Sequence, residues 1–223
     1  MKKNKKEVFS IVFLVIGCCI IISFIETIIG PIYFIKSAIK IVIFLLLPFL
    51  YFRLLNIKLF DNFSSLNRKN IIKLLILGSL IYGVIIGAYF LTRNIFDYSS
   101  LVNSLSIDQK VNNNSFISVA LYISFCNSFL EEFLFRYISF IKLSKYINKK
   151  ISYLFSSLIF AIYHISMIGS SFPILLLILS LIGLTIGGFI FDYVDDKNKN
   201  IYNSWIIHMF ADFAIMTIWY IYI

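Results

Sequence analysis

Apolar residues run along the chain in seven long blocks, separated by short polar connections. The first block extends from Val8 to Gly30, behind a basic head of Lys-Lys-Asn-Lys-Lys. Pro31 marks a tight turn into the second, which ends near Phe52. A polar stretch from Arg53 to Asn70 leads to the third, about Ile71 to Leu91. The longest polar connection, Arg93 to Asn114, precedes the fourth block, Ser115 to Phe140. Lys142, Lys145, Lys149 and Lys150 mark the next loop, and the fifth block runs from Ile151 to Ile168. A turn at Gly169 to Pro173, a sixth block from Ile174 to Phe191, a charged loop from Asp192 to Asn200 and a seventh block from Ile201 onward complete the pattern. A hydrocarbon core of about 30 Å takes about 20 apolar helical residues to cross. The pattern therefore predicts an all-α, polytopic transmembrane helix bundle of about seven spans.

Composition agrees with that reading. The chain has 223 residues, 60% of them hydrophobic and 14% charged, whereas a soluble domain carries about a quarter charged. This length leaves no room for a sizeable soluble domain. The net charge of +9 calls for no nucleic acid, because Lys and Arg gather in the loops where orientation signals belong. They fall mainly in the head and in the loops at 53–70, 141–150 and 192–200, all on one side. That places the N-terminus in the cytoplasm. The first block is too long for a signal-peptide core and lacks a small-residue cleavage site, so it reads as a retained span. Cys18, Cys19 and Cys126 lie inside apolar blocks without metal or disulfide spacing, and read as small core residues. The abundance of Ile, Lys, Asn, Phe and Tyr fits an AT-rich bacterial genome, hence a bacterial cell membrane.

Against this background, charge inside a span stands out, because an ionisable residue at membrane depth is costly and marks a candidate functional site. The fourth block carries three such residues in six: Glu131, Glu132 and Arg136. Glu132 and Arg136 are four apart, on one helix face, and suit a pair. Glu131 is turned by about 100° onto a strip with Asn127 and Ser124, which leaves it available for chemistry. Glu26, Lys36 and Lys40 also interrupt spans. Near the far membrane surface, they read as snorkelling or as a Glu26–Lys pair.

The chain has two histidines, His164 and His208, both inside apolar blocks. Counting about 1.5 Å per residue from the loops on the basic side, Glu131 lies about 16 Å deep, His164 about 21 Å and His208 about 12 Å. With ordinary tilt the three can meet in one cavity. Asp212 is one helical turn beyond His208 and can orient its imidazole. Phe160 is one turn before His164 and can pack on that ring. Asn203 and Ser204, at the start of the last block, suit admission of water. A carboxylate and two imidazoles at low dielectric can activate water against a carbonyl. No Gly-x-Ser-x-Gly serine is present, and there is no His-Glu-x-x-His zinc helix. Glu131, His164 and His208 could also serve as zinc ligands once folded.

The ordered set Glu131-Glu132-x-x-x-Arg136, Phe160-x-x-x-His164 and His208-x-x-x-Asp212 resembles the three motifs of the CPBP (Abi) family. These intramembrane proteases include the type II CAAX prenyl endopeptidase and bacterial bacteriocin-processing or self-immunity proteins. The resemblance covers about residues 115–220. It implies a catalytic helical core at 115–223, preceded by N-terminal transmembrane helices and an outer loop at 1–114. It further implies a metal-free, glutamate-dependent endopeptidase with Glu131 as base, His164 holding the water, His208 on the oxyanion side, and Glu132 and Arg136 in support. The eukaryotic prenyl proteases have Asn where this chain has Asp212, which points away from CAAX substrates and toward a membrane-associated peptide, bacteriocin or pheromone precursor, or membrane protein. Two other functions use the same residues: a non-catalytic immunity or regulatory protein of the same fold, and a proton-linked transporter. The second would call for repeated halves, which the sequence does not have.

Overall fold

The computed structural model describes residues 2–59 and 68–223, so part of the polar stretch at 53–70, including Asp61, lies outside the described residues. Among the described residues, seven helices are long and apolar enough to cross a membrane: Lys5–Ile29, Tyr33–Leu54, Asn70–Thr92, Asn113–Lys145, Lys149–Ile168, Ile174–Lys197 and Tyr202–Tyr222. They are called the first to seventh spans below. Among the described residues there is no strand. The all-α bundle of about seven spans expected from the hydrophobic pattern is the observed fold.

The first turn shows how local chemistry sets a boundary. Gly30 has φ +52° and donates its N–H to Ile25 O at 2.9 Å. That left-handed conformation costs glycine nothing, and Pro31 cannot continue the helix. The seventh span packs along the third and the sixth along the fifth, while the fourth touches the first, second, fifth, sixth and seventh. The fourth span is thus the axis of the bundle. Phe135, Leu134, Tyr137, Ile138 and Phe140 are buried around it. At Gly188 a Cβ would stand 2.9 Å from Ser157 Cα, so the missing side chain is what lets the fifth and sixth spans close on each other.

Among the described residues, four segments wind more loosely than an α-helix, with i→i+5 bonds: Ile25–Ile29, Val42–Leu46, Ile123–Asn127 and Glu132–Lys142. Such turns are rare and concentrate at functional sites. The last is 11 residues long, and Ser139 donates its hydroxyl to Leu134 O, five residues back, at 2.9 Å.

Three boundaries differ from expectation. The stretch at 93–114 is not simply a loop. It holds a helix, Tyr98–Gln109, whose N-terminus is capped by Asp97 accepting from Ser100 N at 3.1 Å. The supposed charged loop after Phe191 continues the sixth helix to Asn198, with Asp192 and Asp195 fully buried. Hydropathy alone ends a span at its first charge, but these carboxylates have partners inside the bundle. Lys142 is buried as well, and its ammonium donates to Lys58 O at 2.7 Å. Cys18 and Cys19 are buried as expected, whereas Cys126 lies on the outer face of its span and is exposed.

Candidate functional site

The polar residues of five spans converge inside the bundle. Glu131, Glu132 and Arg136 are 1%, 0% and 0% exposed. Glu131 uses its two oxygens differently. Oε1 accepts from Lys40 Nζ at 2.7 Å and from Asn127 Nδ2 at 2.9 Å. Oε2 lies 3.8 Å from His164 Nε2 and 3.8 Å from His208 Nε2. The Asn127–Glu131 bond is the adjacency expected from their spacing. The Lys40 bond is not, so Glu131 is not the unengaged carboxylate that the sequence alone implies.

The partners of the two rings determine their tautomers. His164 Nδ1 lies 2.8 Å from Phe160 O. A carbonyl only accepts, so Nδ1 carries the proton and the neutral ring presents a bare Nε2 toward Glu131. The helix makes room for this contact by breaking. Lys149–Tyr163 ends at His164, whose own N–H bonds Ala161 O at 3.1 Å, and a short helical turn resumes at Ile165–Ile168. The Phe160 ring meets the His164 ring edge to face at 4.7 Å. His208 Nδ1 lies 2.7 Å from Glu132 Oε1, which again puts the proton on Nδ1 and turns Nε2 inward.

Here the expected division of labour shifts. Asp212 does not orient His208 through a hydrogen bond: Oδ1 is 3.7 Å from His208 Nε2, beyond hydrogen-bond range. Glu132, 76 residues away, holds the ring instead. Asp212 stands on the same side of His208 as Glu131, and its Oδ2 is buried with no hydrogen-bond partner among the described residues.

Glu132 also keeps the partner expected from its spacing. Its Oε2 is 3.2 Å from Arg136 Nε, an ion pair by distance. Arg136 Nη1 donates to Ser156 Oγ at 3.0 Å and lies 3.8 Å from Asp192 Oδ1. Ser157 Oγ donates to Asp192 Oδ2 at 3.2 Å. The guanidinium stacks over Phe160 at 4.4 Å and Phe191 at 5.3 Å, a cation–π arrangement strengthened by its dry surroundings. Behind it, Asp195 accepts from Ser204 N at 3.0 Å and Ser204 Oγ at 2.7 Å, and Asn203 donates to Val194 O at 3.2 Å. Asn203 and Ser204 are therefore buried ties between the sixth and seventh spans rather than an entry for water.

Sequence reasoning brought Glu131, Glu132, Arg136, Asn127, Phe160, His164, His208 and Asp212 to one place, and all eight are there. It missed Lys40, Asp192 and Asp195. Lys40 sits one turn beyond Lys36, and Lys36 does form the expected pair with Glu26, at 2.6 Å. That pairing is the signal that Lys40 needs a different partner.

Glu131, His164 and His208 offer a carboxylate and two imidazoles, donor types that zinc takes, with Glu131 Oε2 3.8 Å from each Nε2. Catalytic zinc takes three protein donors at about 2.0–2.2 Å from one point. Among the described residues no group of three or more His, Cys, Asp or Glu is placed to hold a metal ion. Lys40 also sets an ammonium against Glu131, where it would oppose a second cation.

No curated protein and no solved structure matches the chain. One family does, over residues 113–214, under the description Type II CAAX prenyl endopeptidase Rce1-like. The matched stretch runs from the start of the fourth span into the seventh. It contains each of the three motifs and all the residues that meet at the site except Lys40. Residues 113–214 are thus similar to the Rce1-like domain of the type II CAAX prenyl endopeptidases, which is consistent with a protein of the CPBP family.

Proposed function

We propose that the protein is an intramembrane endopeptidase that hydrolyses a peptide bond with water activated by Glu131. One observation carries this reading: Glu131 Oε2 stands 3.8 Å from the Nε2 atoms of both histidines. That separation is too long for direct hydrogen bonds and suits a bridging water. Water can donate one proton toward Glu131 Oε2 and the other toward the bare Nε2 of His164, leaving a lone pair free to attack.

The chemistry then balances on these groups. The water oxygen bonds to the scissile carbonyl carbon while its proton passes to Glu131. His208, held through Nδ1 by Glu132, turns Nε2 toward the developing oxyanion and donates to it in its imidazolium form. Collapse of the tetrahedral intermediate breaks the C–N bond, and Glu131 returns the proton to the leaving amine. Asp212 stands on the same side of His208 as Glu131. Arg136 neutralises Glu132 and keeps it in place. No step uses a metal or another cofactor.

The substrate class that suits a site at this depth is a membrane-associated peptide or a membrane protein. Bacteriocin or secreted-peptide processing and self-immunity are the settings we favour, in a bacterial cell membrane with the N-terminus cytoplasmic. The test is cleavage by purified protein in liposomes of a pool of membrane-derived and secreted peptides, read by mass spectrometry. Wild type is compared with Glu131→Gln and His164→Ala, each with and without chelator. Cleavage lost in both variants and unchanged by chelator is expected. Loss with chelator and recovery with zinc would overturn the metal-free mechanism. Wild type and variants that behave alike on cleavable peptides, or a well-folded wild type that cleaves none, would favour a binding protein of the same fold acting in immunity or regulation.

A further inference from the structure

The second span lies outside the family match at 113–214, yet it supplies the cation nearest to Glu131. Lys36 and Lys40 are one helical turn apart, and both are buried. Their partners differ. Lys36 Nζ donates to Glu26 Oε2 at 2.6 Å and Gln109 Oε1 at 2.7 Å, so its charge is satisfied away from the motifs. Lys40 Nζ donates to Glu131 Oε1 at 2.7 Å, its one hydrogen bond among the described residues. The rings of Phe44 and Tyr163 flank it at 5.3 and 5.1 Å and leave the ammonium little room to turn elsewhere.

We infer that Lys40 is a positioning residue for Glu131. Together with Asn127 it occupies Oε1, and so presents Oε2 alone to the two imidazoles. This rests on the protease reading for its effect on rate. A carboxylate without this anchor can rotate about its last torsion and exchange its oxygens, which lowers the share of time in which Oε2 faces both rings. The N-terminal spans, on this inference, complete the site rather than merely support it.

Two measurements test the inference. The first is steady-state cleavage of whichever pool peptide the wild type cuts. Lys40→Met is expected to lower kcat about 10²-fold, with KM changed less than about twofold, as for loss of alignment rather than of substrate binding. Lys40→Arg should recover part of kcat, and Lys40→Ala should be partly rescued by added methylammonium. A fall in kcat that only tracks the folded fraction, with no rescue, would overturn the positioning role. The second is a double-mutant cycle in thermal unfolding with Lys40→Met, Glu131→Gln and the pair. Each single variant leaves a buried charge without its counter-charge, so the double variant should melt above the value that the two single effects add up to. Strict additivity would overturn the inference even in an active enzyme. Should the wild type cut no peptide while the cycle shows coupling, the protease reading fails and Lys40 stands as the group that fixes Glu131.

Discussion

The third and fourth spans, Asn70–Thr92 and Asn113–Lys145, are both apolar enough to cross a membrane, and they use their apolarity in opposite ways. Of their most apolar windows, 17% of the third is buried against half of the fourth. The third carries no charge between Lys73 and Arg93 and turns Leu80 and Val84 outward, 62% and 71% exposed. The fourth carries Glu131, Glu132 and Arg136 in its centre and encloses them. In water the apolar helix would be the inner one. In lipid, apolar side chains gain nothing by avoiding their surroundings, and the polar groups seek the interior.

Four substitutions break or sharpen this contrast. The largest effect is expected at Glu131: Glu131→Gln should cut peptide cleavage by about 10²–10⁴-fold, with a melting curve showing that the bundle persists. Next comes Arg136→Met. It leaves Glu132 and Asp192 in a dry interior without the cation between them, a loss of about 3–5 kcal/mol, read from unfolding in mild detergent. The third span should resist polarity for the opposite reason. Leu80→Lys sets a charge against lipid and should disfavour insertion by about 2.5–3.5 kcal/mol, measured with a glycosylation reporter. At the small end, Val84→Ala on the same outer face should change unfolding by less than about 0.5 kcal/mol. An Arg136→Met variant no less stable than wild type would remove the physical distinction between the two spans.

This contrast also explains what could be read from the sequence. The spans announce themselves through long apolar blocks, and the residues of the fourth, fifth and seventh spans announce themselves as charges or imidazoles within those blocks. Asp192 and Asp195 were hidden because they follow Phe191 closely, where a run of charge looks like the end of a helix. Burial rescues them: Arg136 and Ser156 wait for one, Ser204 for the other. Lys40 was visible as an anomaly, but its partner lies 91 residues away, a distance over which spacing says nothing. The exchange of Asp212 for Glu132 as the holder of His208 was illegible for the same reason, since the nearer carboxylate in sequence is not the nearer one in space.

The fork at Glu132 bears on the order in which the protein is made. A chain synthesised from its N-terminus delivers Arg136 to the membrane before the sixth span brings Asp192 and before the seventh brings His208. During that interval the guanidinium is not alone, because Glu132 arrives in the same helix, four residues ahead, and contacts it through Oε2. The other oxygen, Oε1, is left to receive His208 from the last span. One carboxylate thus acts first as a counter-ion within its own helix and afterwards as the latch that closes the bundle. Lys40 has no such escort. It enters with the second span, and its native partner Glu131 arrives only with the fourth.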